Sequence, residues 1–220
     1  MQQNKDASYV PALRFRWLTP FYDAIVGITV RERTFKKALL QQAAIQPGQR
    51  VLDVGCGTGT LCLLIKQTQP QAEVVGVDGD PEILSLAQNK ARNAGVAVQF
   101  DHGLSTELPY PDAHFDRVLS TLFFHHLSPE DKKRTATELF RVLKPGGELH
   151  IADWGKAANP LMRGLFWGIQ ILDGFENTRD NINGKLPDIF REAGFGEVQQ
   201  MQTLNTLFGT MALYRGVKPS

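Results

Sequence analysis

Cysteine is scarce in this chain. Cys56 and Cys62 are the only two in 220 residues. Both lie in or just after a glycine-rich stretch, so neither a disulfide framework nor a thiolate metal site is expected. Net charge is also small: 24 Lys and Arg face 23 Asp and Glu, giving +1. That balance provides no overall field for nucleic acid or an anionic membrane. Long hydrophobic runs are missing too. The most apolar tract, Leu161 to Phe175, is broken by Arg163, Gly164, Gly168 and Gln170 and is too short to span a bilayer. The opening residues Met1 to Asp6 are polar and read as no signal peptide. No repeat or low-complexity segment occurs. With 42% hydrophobic and 21% charged residues, the composition is that of a globular domain, and the length suits one such domain. A soluble, cytoplasmic protein is the expectation.

What stands out is Val51-Leu52-Asp53-Val54-Gly55-Cys56-Gly57-Thr58-Gly59-Thr60-Leu61. An apolar run carries an acid, three glycines follow at alternate positions, and a helix-like pattern begins. This reads as strand, tight loop and helix N-terminus, a place where a ligand can rest on bare backbone with N–H groups aimed at it.

Strand-length apolar runs alternate with helical periods, which predicts an α/β fold with a mostly parallel sheet. Strands are expected at Val51–Val54, Val74–Asp78, Ala97–Asp101, Arg117–Thr121 and Glu148–Asp153, then near Glu197–Thr203 and Thr210–Arg215. Asp80-Pro81-Glu82 and Ser128-Pro129-Glu130 each read as an N-cap, a proline at the first helical position and an acid in the first turn. The second of these helices is expected to carry Arg141 and Lys144 in its last turn and to stop at Pro145-Gly146-Gly147. A third runs from Leu186 to Ala193. The chain thus divides into an N-terminal helical cap (1–46), a core (47–153), a lid-like insertion (154–184), and a final helix with a C-terminal hairpin (185–220). Cap and insertion either fold over the carboxyl edge of the sheet, where ligands bind in such folds, or simply cover sheet surface.

The spacing Asp53-x-Gly55-x-Gly57-x-Gly59 departs from the dinucleotide fingerprint in glycine register. Asp78 closes the second expected strand, and its two oxygens match a vicinal diol. An acid at Asp53 suits a cationic ligand group better than a pyrophosphate; the plain alternative is a turn-capping carboxylate. A ligand with a ribose, an amine and a sulfonium meets both demands.

Four blocks, Val51–Leu61, Val74–Asp80, Leu108–Val118 and Glu138–Gly147, stand in fixed order along the chain. Through them it resembles the class I S-adenosylmethionine-dependent methyltransferases, and among them the group that includes ubiquinone and menaquinone C-methyltransferases. The resemblance implies a Rossmann-like, doubly wound seven-stranded sheet of order 3-2-1-4-5-7-6 with the last strand antiparallel. It implies S-adenosyl-L-methionine as cofactor. Asp53, Gly55, Cys56, Gly57, Thr58 and Gly59 would hold the aminocarboxypropyl arm and Asp78 the ribose. Gly103-Leu104-Ser105 looks like the adenine-edge turn, with Leu104 where the family usually has an acid. Gly79 stands where an apolar side chain usually covers the adenine. Ser120 ends the fourth strand beside the methyl donor.

Phe123-Phe124-His125-His126 is expected to line the acceptor side. His125 or His126 is a candidate base, against the reading that one packs and the other faces solvent. Tyr22 resembles a tyrosine that closes over the cofactor in relatives, or belongs to the aromatic cluster of Phe15, Trp17, Leu18 and Phe21. Phe124 and Trp154 border the acceptor, or are core. In the insertion, Met162, Leu165, Phe166, Ile169 and Leu172 at helical spacing serve either the core or an apolar lid. Arg179, in the polar stretch Asp173 to Asn181, either holds an acceptor anion or sits in a solvated turn. The acceptor is read as a small molecule, with no nucleic acid partner, no stable membrane insertion and no metal. The rival readings are N- or O- rather than C-methylation, a non-catalytic cofactor-binding sensor, and a nicotinamide dehydrogenase.

Overall fold

The computed structural model describes residues 32–220, the side chains at 169, 172 and 173 excepted. Most of the expected N-terminal cap, with Tyr22 and its aromatic neighbours, therefore lies outside the described residues.

The elements follow in the order α1 (Glu32–Ala43), β1 (Arg50–Val54), α2 (Thr60–Thr68), β2 (Glu73–Asp78), α3 (Pro81–Asn93), β3 (Gln99–His102) and β4 (Phe115–Thr121). A short 3-10 turn at Phe124–His126 comes next. The chain continues with α4 (Pro129–Val142), β5 (Leu143–Trp154), α5 (Pro160–Asp173), α6 (Phe175–Ile182), α7 (Leu186–Glu192), β6 (Gly196–Thr206) and β7 (Gly209–Val217). The strands form one seven-stranded sheet of order β3-β2-β1-β4-β5-β7-β6. β1 to β5 run parallel, and β7 is antiparallel to both its neighbours. This is the topology the resemblance implied.

Helices cover both faces, which is why the central strands read as unbroken apolar runs. One face packs Leu52, Val54, Val118 and Ile151 against Ala136 and Leu139 of α4 and Phe190 of α7. The other packs Val51, Leu119 and Ala152 against Phe35 and Leu39 of α1, Leu61 and Ile65 of α2, and Phe166 of α5. The caps work as read. Asp80 accepts from the N–H groups of Glu82 and Ile83, and the Ser128 hydroxyl accepts from Asp131.

One helix end differs. α4 stops at Val142, and Lys144 sits in β5, paired with Asp116 at 2.8 Å. Proline at 145 disfavours helix in the residue before it. Leu143 is then free to pair with Phe115 of β4.

Sheet order reverses between β1 and β4, so a crevice opens beyond their carboxyl ends. Val54, Asp78, Thr121 and Trp154 all end strands at this edge.

Candidate functional site

The glycine loop leaves β1 with Gly55, Gly57 and Gly59 at φ of 67°, 53° and 74°, all left-handed. Its N–H groups are less open than the sequence suggests. Those of Gly55 and Cys56 both donate to the Val77 carbonyl, at 2.9 and 3.1 Å. Gly59 N–H donates to Cys56 O, and Gly57 N–H donates to Asp78 Oδ2 at 2.9 Å. Lys90 of α3 reaches in to donate to the Thr58 and Thr60 hydroxyls. The loop is therefore preformed, and at Gly57 a Cβ would meet nothing within 4 Å.

Gly55 is different. A Cβ there would lie 2.3 Å from the Phe123 ring. Gly55→Ala should combine the left-handed cost of about 1–2 kcal/mol with displacement of that ring. Gly57→Ala should carry the backbone cost alone. Thermal unfolding checks this: at about 2–4 °C per kcal/mol for a chain of this size, the Gly55 variant should melt several degrees below the Gly57 variant.

Asp78 accepts from Gly57 N–H through Oδ2 and from Asp80 N–H through Oδ1, at 2.9 and 3.0 Å. Burial raises its pKa, partly offset by these backbone bonds. Each oxygen keeps a further lone pair for a hydroxyl. The turn expected to meet adenine is joined to it, since Gly103 N–H donates to Asp78 O at 3.1 Å. Gly79 O meets His102 Nε2 at 3.1 Å. Leu104 is exposed, and the Ser105 hydroxyl is tied to Thr135 of α4 at 2.8 Å.

Asp53 is buried under α1 and α2. Its Oδ2 accepts the Cys62 thiol at 3.3 Å, and its Oδ1 has no hydrogen-bond partner among the described residues. Burial pushes its pKa up to about 7, against the charge of Lys36 on α1 and the Cys62 bond. Lys36 escaped the sequence reading because a lysine four residues after Glu32 looks like a solvated helix pair. In the fold both are largely buried and joined to each other. The sign of the pH dependence follows. Between the unfolded value of 3.8 and about 7 the folded chain holds a proton that the unfolded chain has released. This contribution to stability is complete below the unfolded value and is lost as pH rises through about 7. A cationic ligand group beside Asp53 should pull its pKa down, release a proton on binding near pH 6.5, and bind more tightly as pH rises. Calorimetry in two buffers of different ionisation enthalpy measures that proton. Its absence, or its persistence in Asp53→Asn, would leave Asp53 as a turn cap.

The acceptor edge differs most from expectation. Leu122 adopts φ 52°, left-handed for a non-glycine residue. This twist resets which way the next side chains face. Phe124 goes into the core, fully buried against Phe190, and Phe123 takes its place over the glycine loop. Trp154 is also core, packed on Phe166 and edge-on to His125. Ser120 is fully buried, and its hydroxyl donates to Val54 O at 2.7 Å, so it fastens β4 to β1.

The two histidines separate in role. His125 Nδ1 lies 2.7 Å from Asp153 Oδ1, and both residues are buried. Asp153 also accepts from the N–H groups of Phe123, His125 and Trp154. Burial alone would raise its pKa; the charge and hydrogen bond of His125, with Trp154 N–H, outweigh burial and hold it below the usual carboxylate range. The His126 ring lies against His125, with centroids 4.0 Å apart and planes tilted by 41°. Burial, then the charge of His125, lowers its pKa to about 3, which leaves it neutral. Asp153 was legible only as the end of a strand.

The polar stretch Asp173 to Asn181 is no solvated turn. It forms most of α6, where Thr178, Asp180 and Asn181 are buried. Asn177 Nδ2 donates to His126 O at 3.0 Å, Asn181 Nδ2 donates to Trp154 O, and the buried Lys132 of α4 donates to Asn177 O. Arg179 itself is exposed. Among the described residues no cluster of three His, Cys, Asp or Glu gathers to hold a metal.

A sequence profile described as a methyltransferase domain matches residues 51–147. The chain is 31% identical over 208 residues to the ubiquinone/menaquinone biosynthesis C-methyltransferase of Ectopseudomonas mendocina, covering 85% of this chain and 79% of that one. The chain belongs to the class I S-adenosylmethionine-dependent methyltransferases. It is 34% identical over 155 residues to the demethylmenaquinone methyltransferase of Deinococcus radiodurans, covering 69% of this chain but only 63% of that protein's length. The YcgJ protein of Bacillus subtilis shares the fold, with a TM-score of 0.68, 20% identity, and coverage of 84% of this chain and 98% of that one. The residues present fit the family's methyl donor. Asp53 Oδ1 is an orphaned buried acceptor, both Asp78 oxygens can accept again, and Gly57 leaves open space.

Proposed function

We propose that this protein transfers a methyl group from S-adenosylmethionine to carbon of a small aromatic acceptor bearing a hydroxyl, of the quinol type. The observation that carries the reading is the buried His125–Asp153 pair beside the glycine loop. The names of its relatives support the acceptor class. The cofactor, when bound, supplies a methyl group on a sulfonium, a leaving group good enough that alignment carries much of the rate. Asp78 would hold its ribose and Asp53 its cationic arm. Phe123 packs over Gly55 at the acceptor edge and helps exclude water.

In its neutral form His125 takes the acceptor's hydroxyl proton while Nδ1 keeps its bond to Asp153. Asp153 orients the ring and stabilises the imidazolium. The oxyanion so formed makes the adjacent ring carbon the nucleophile. S-adenosylmethionine would supply the methyl group to that carbon and leave as S-adenosylhomocysteine, while the ring carbon's proton would pass to solvent and His125 would return its proton to the acceptor oxygen, restoring the aromatic ring and the neutral imidazole. His126 stays neutral and supports the first imidazole by packing against it.

The experiment is incubation of the protein with isotope-labelled S-adenosylmethionine and a chemically reduced demethylated naphthoquinone, read by mass spectrometry against a heat-killed control. Label on ring carbon supports the reading, and label on oxygen would replace it with O-methylation. Cofactor binding with no labelled product here or in a host-cell extract favours a sensor.

A further inference from the structure

We propose that Lys36 of α1 holds the carboxylate at the amino-acid end of the methyl donor, so that the protein reads that end as a zwitterion. The inference rests on the proposed placing of the donor's arm at the glycine loop. It adds a residue that lies outside all four sequence blocks. Position comes first. The carbonyl of Ala43, at the end of α1, accepts from Arg117 Nε at 3.0 Å, and Arg117 lies in the first half of β4. Phe35, near the start of α1, packs in the same cluster as Trp154, which ends β5. α1 therefore runs from the carboxyl edge of the sheet back toward the amino edge, and its first turns stand beside the crevice. Helical side chains lean toward the helix N-terminus, so the Lys36 amine is carried to that edge. There it bonds Glu32, one turn earlier. Burial raises the Asp53 pKa and the Lys36 charge opposes it, so the two groups stand within electrostatic reach.

Bonding capacity comes second. Lys36 is 7% exposed and Asp53 1%. An ammonium has three N–H donors, and among the described residues Lys36 uses one, on Glu32. Asp53 accepts the Cys62 thiol on Oδ2, and nothing among the described residues bonds Oδ1. The lysine and the aspartate thus face the same corner without bonding each other. A lysine that served only to neutralise Asp53 would close on it, because buried charges are stable when paired and hydrogen-bonded. Held apart, each with capacity to spare, the two suit a ligand that carries both charges side by side. An α-amino acid end has its ammonium and its carboxylate on one carbon. The ammonium would go to Asp53 Oδ1 and the carboxylate to the remaining Lys36 donors, while Glu32, itself largely buried, keeps the amine in place. A ligand with an amine alone satisfies Asp53 and sets its own cation beside that of Lys36.

The test is calorimetric binding of S-adenosylmethionine and of its decarboxylated form to the full chain, with no acceptor present. Wild type should prefer the intact donor by about 10- to 150-fold, the range for hydrogen bonds to a charged group. Lys36→Met should bring the two affinities together. It should weaken the intact donor and leave the decarboxylated form no weaker, since that amine then meets Asp53 without a neighbouring cation. Lys36→Arg keeps a cation that binds carboxylates and should keep much of the preference. Methionine at 36 leaves the Glu32 carboxylate buried alone, so the double variant Glu32→Gln with Lys36→Met is measured beside it, with a melting scan of each, and should lose the preference in the same way. Equal wild-type affinity for the two forms overturns the proposal, and so does a preference that survives in the folded double variant. A loss that falls equally on both forms also overturns it and makes Lys36 a countercharge for Asp53. In these three cases the donor still binds, and the proposed function stands. Failure of wild type to bind either form would bring down the placing of the arm and this inference together.

Discussion

Replacing His125 with Gln should lower the turnover number by about 100- to 10,000-fold, the range for removing a positioned general base, while cofactor affinity stays near wild type. The expectation rests on a division of labour within one imidazole. Nδ1 is 2.7 Å from a carboxylate that is itself buried and held ionised. Once the ring takes a proton, the buried carboxylate of Asp153 stabilises it. His126 is the internal control. Its pKa of about 3 gives it little basicity, so His126→Gln should cost far less turnover, mainly through lost packing against His125. If both variants turn over at the wild-type rate, neither histidine is a base and alignment carries the reaction alone. Asp153→Asn is the less informative variant. Its two oxygens accept from one ring nitrogen and three backbone N–H groups. An amide NH2 in place of either oxygen would face donors, so the turn itself should loosen. A pH profile separates the effects: loss of positioning shifts the acid limb of turnover, whereas a loosened turn lowers the rate across the whole range.

Which histidine carries the basicity is decided by contacts between distant parts of the chain. Periodicity placed the strands within a few residues, because central parallel strands must be apolar on both faces whatever lies around them. The caps at Asp80 and Ser128 were legible because a cap is a local bond. The roles of Phe123 and Phe124 were not. Which of two adjacent aromatics enters the core depends on the left-handed turn at Leu122, a residue with no local signal for that conformation. The partner of His125 lies 28 positions onward on β5, and only the parallel pairing of β4 with β5 brings their carboxyl ends together. The polar run on α6 likewise looked solvated because its partners, Lys132 on α4, the His126 carbonyl and the Trp154 carbonyl, come from distant elements. Lys36 and Asp53 share this history. Local pattern determined the scaffold here, whereas long-range pairing of buried polar groups assembled the site.

Asp78→Ala should weaken cofactor binding by about 1.5–3 kcal/mol, roughly 10- to 150-fold in Kd, the range for losing hydrogen bonds to a charged acceptor. Two costs contribute. The ribose loses its acceptors, and the N–H groups of Gly57 and Asp80 lose the carboxylate that fixes the loop beside it. Asp78→Asn separates them. Its amide keeps one acceptor oxygen, which can satisfy one N–H and one hydroxyl, so its loss should fall between wild type and Ala. Because burial raises the Asp78 pKa, wild-type affinity should also decline as the solution is acidified toward that raised value, and the Asn variant should lack this decline. Turnover at saturating cofactor should change much less than Kd, since Asp78 lies on the ribose side and the reacting methyl is held from the other end. An unchanged Kd in Asp78→Ala by calorimetry would move the cofactor away from the carboxyl end of β2. The assignment of the glycine loop to its aminocarboxypropyl arm would then fall with it, because Gly57 N–H joins the two groups into one rigid corner.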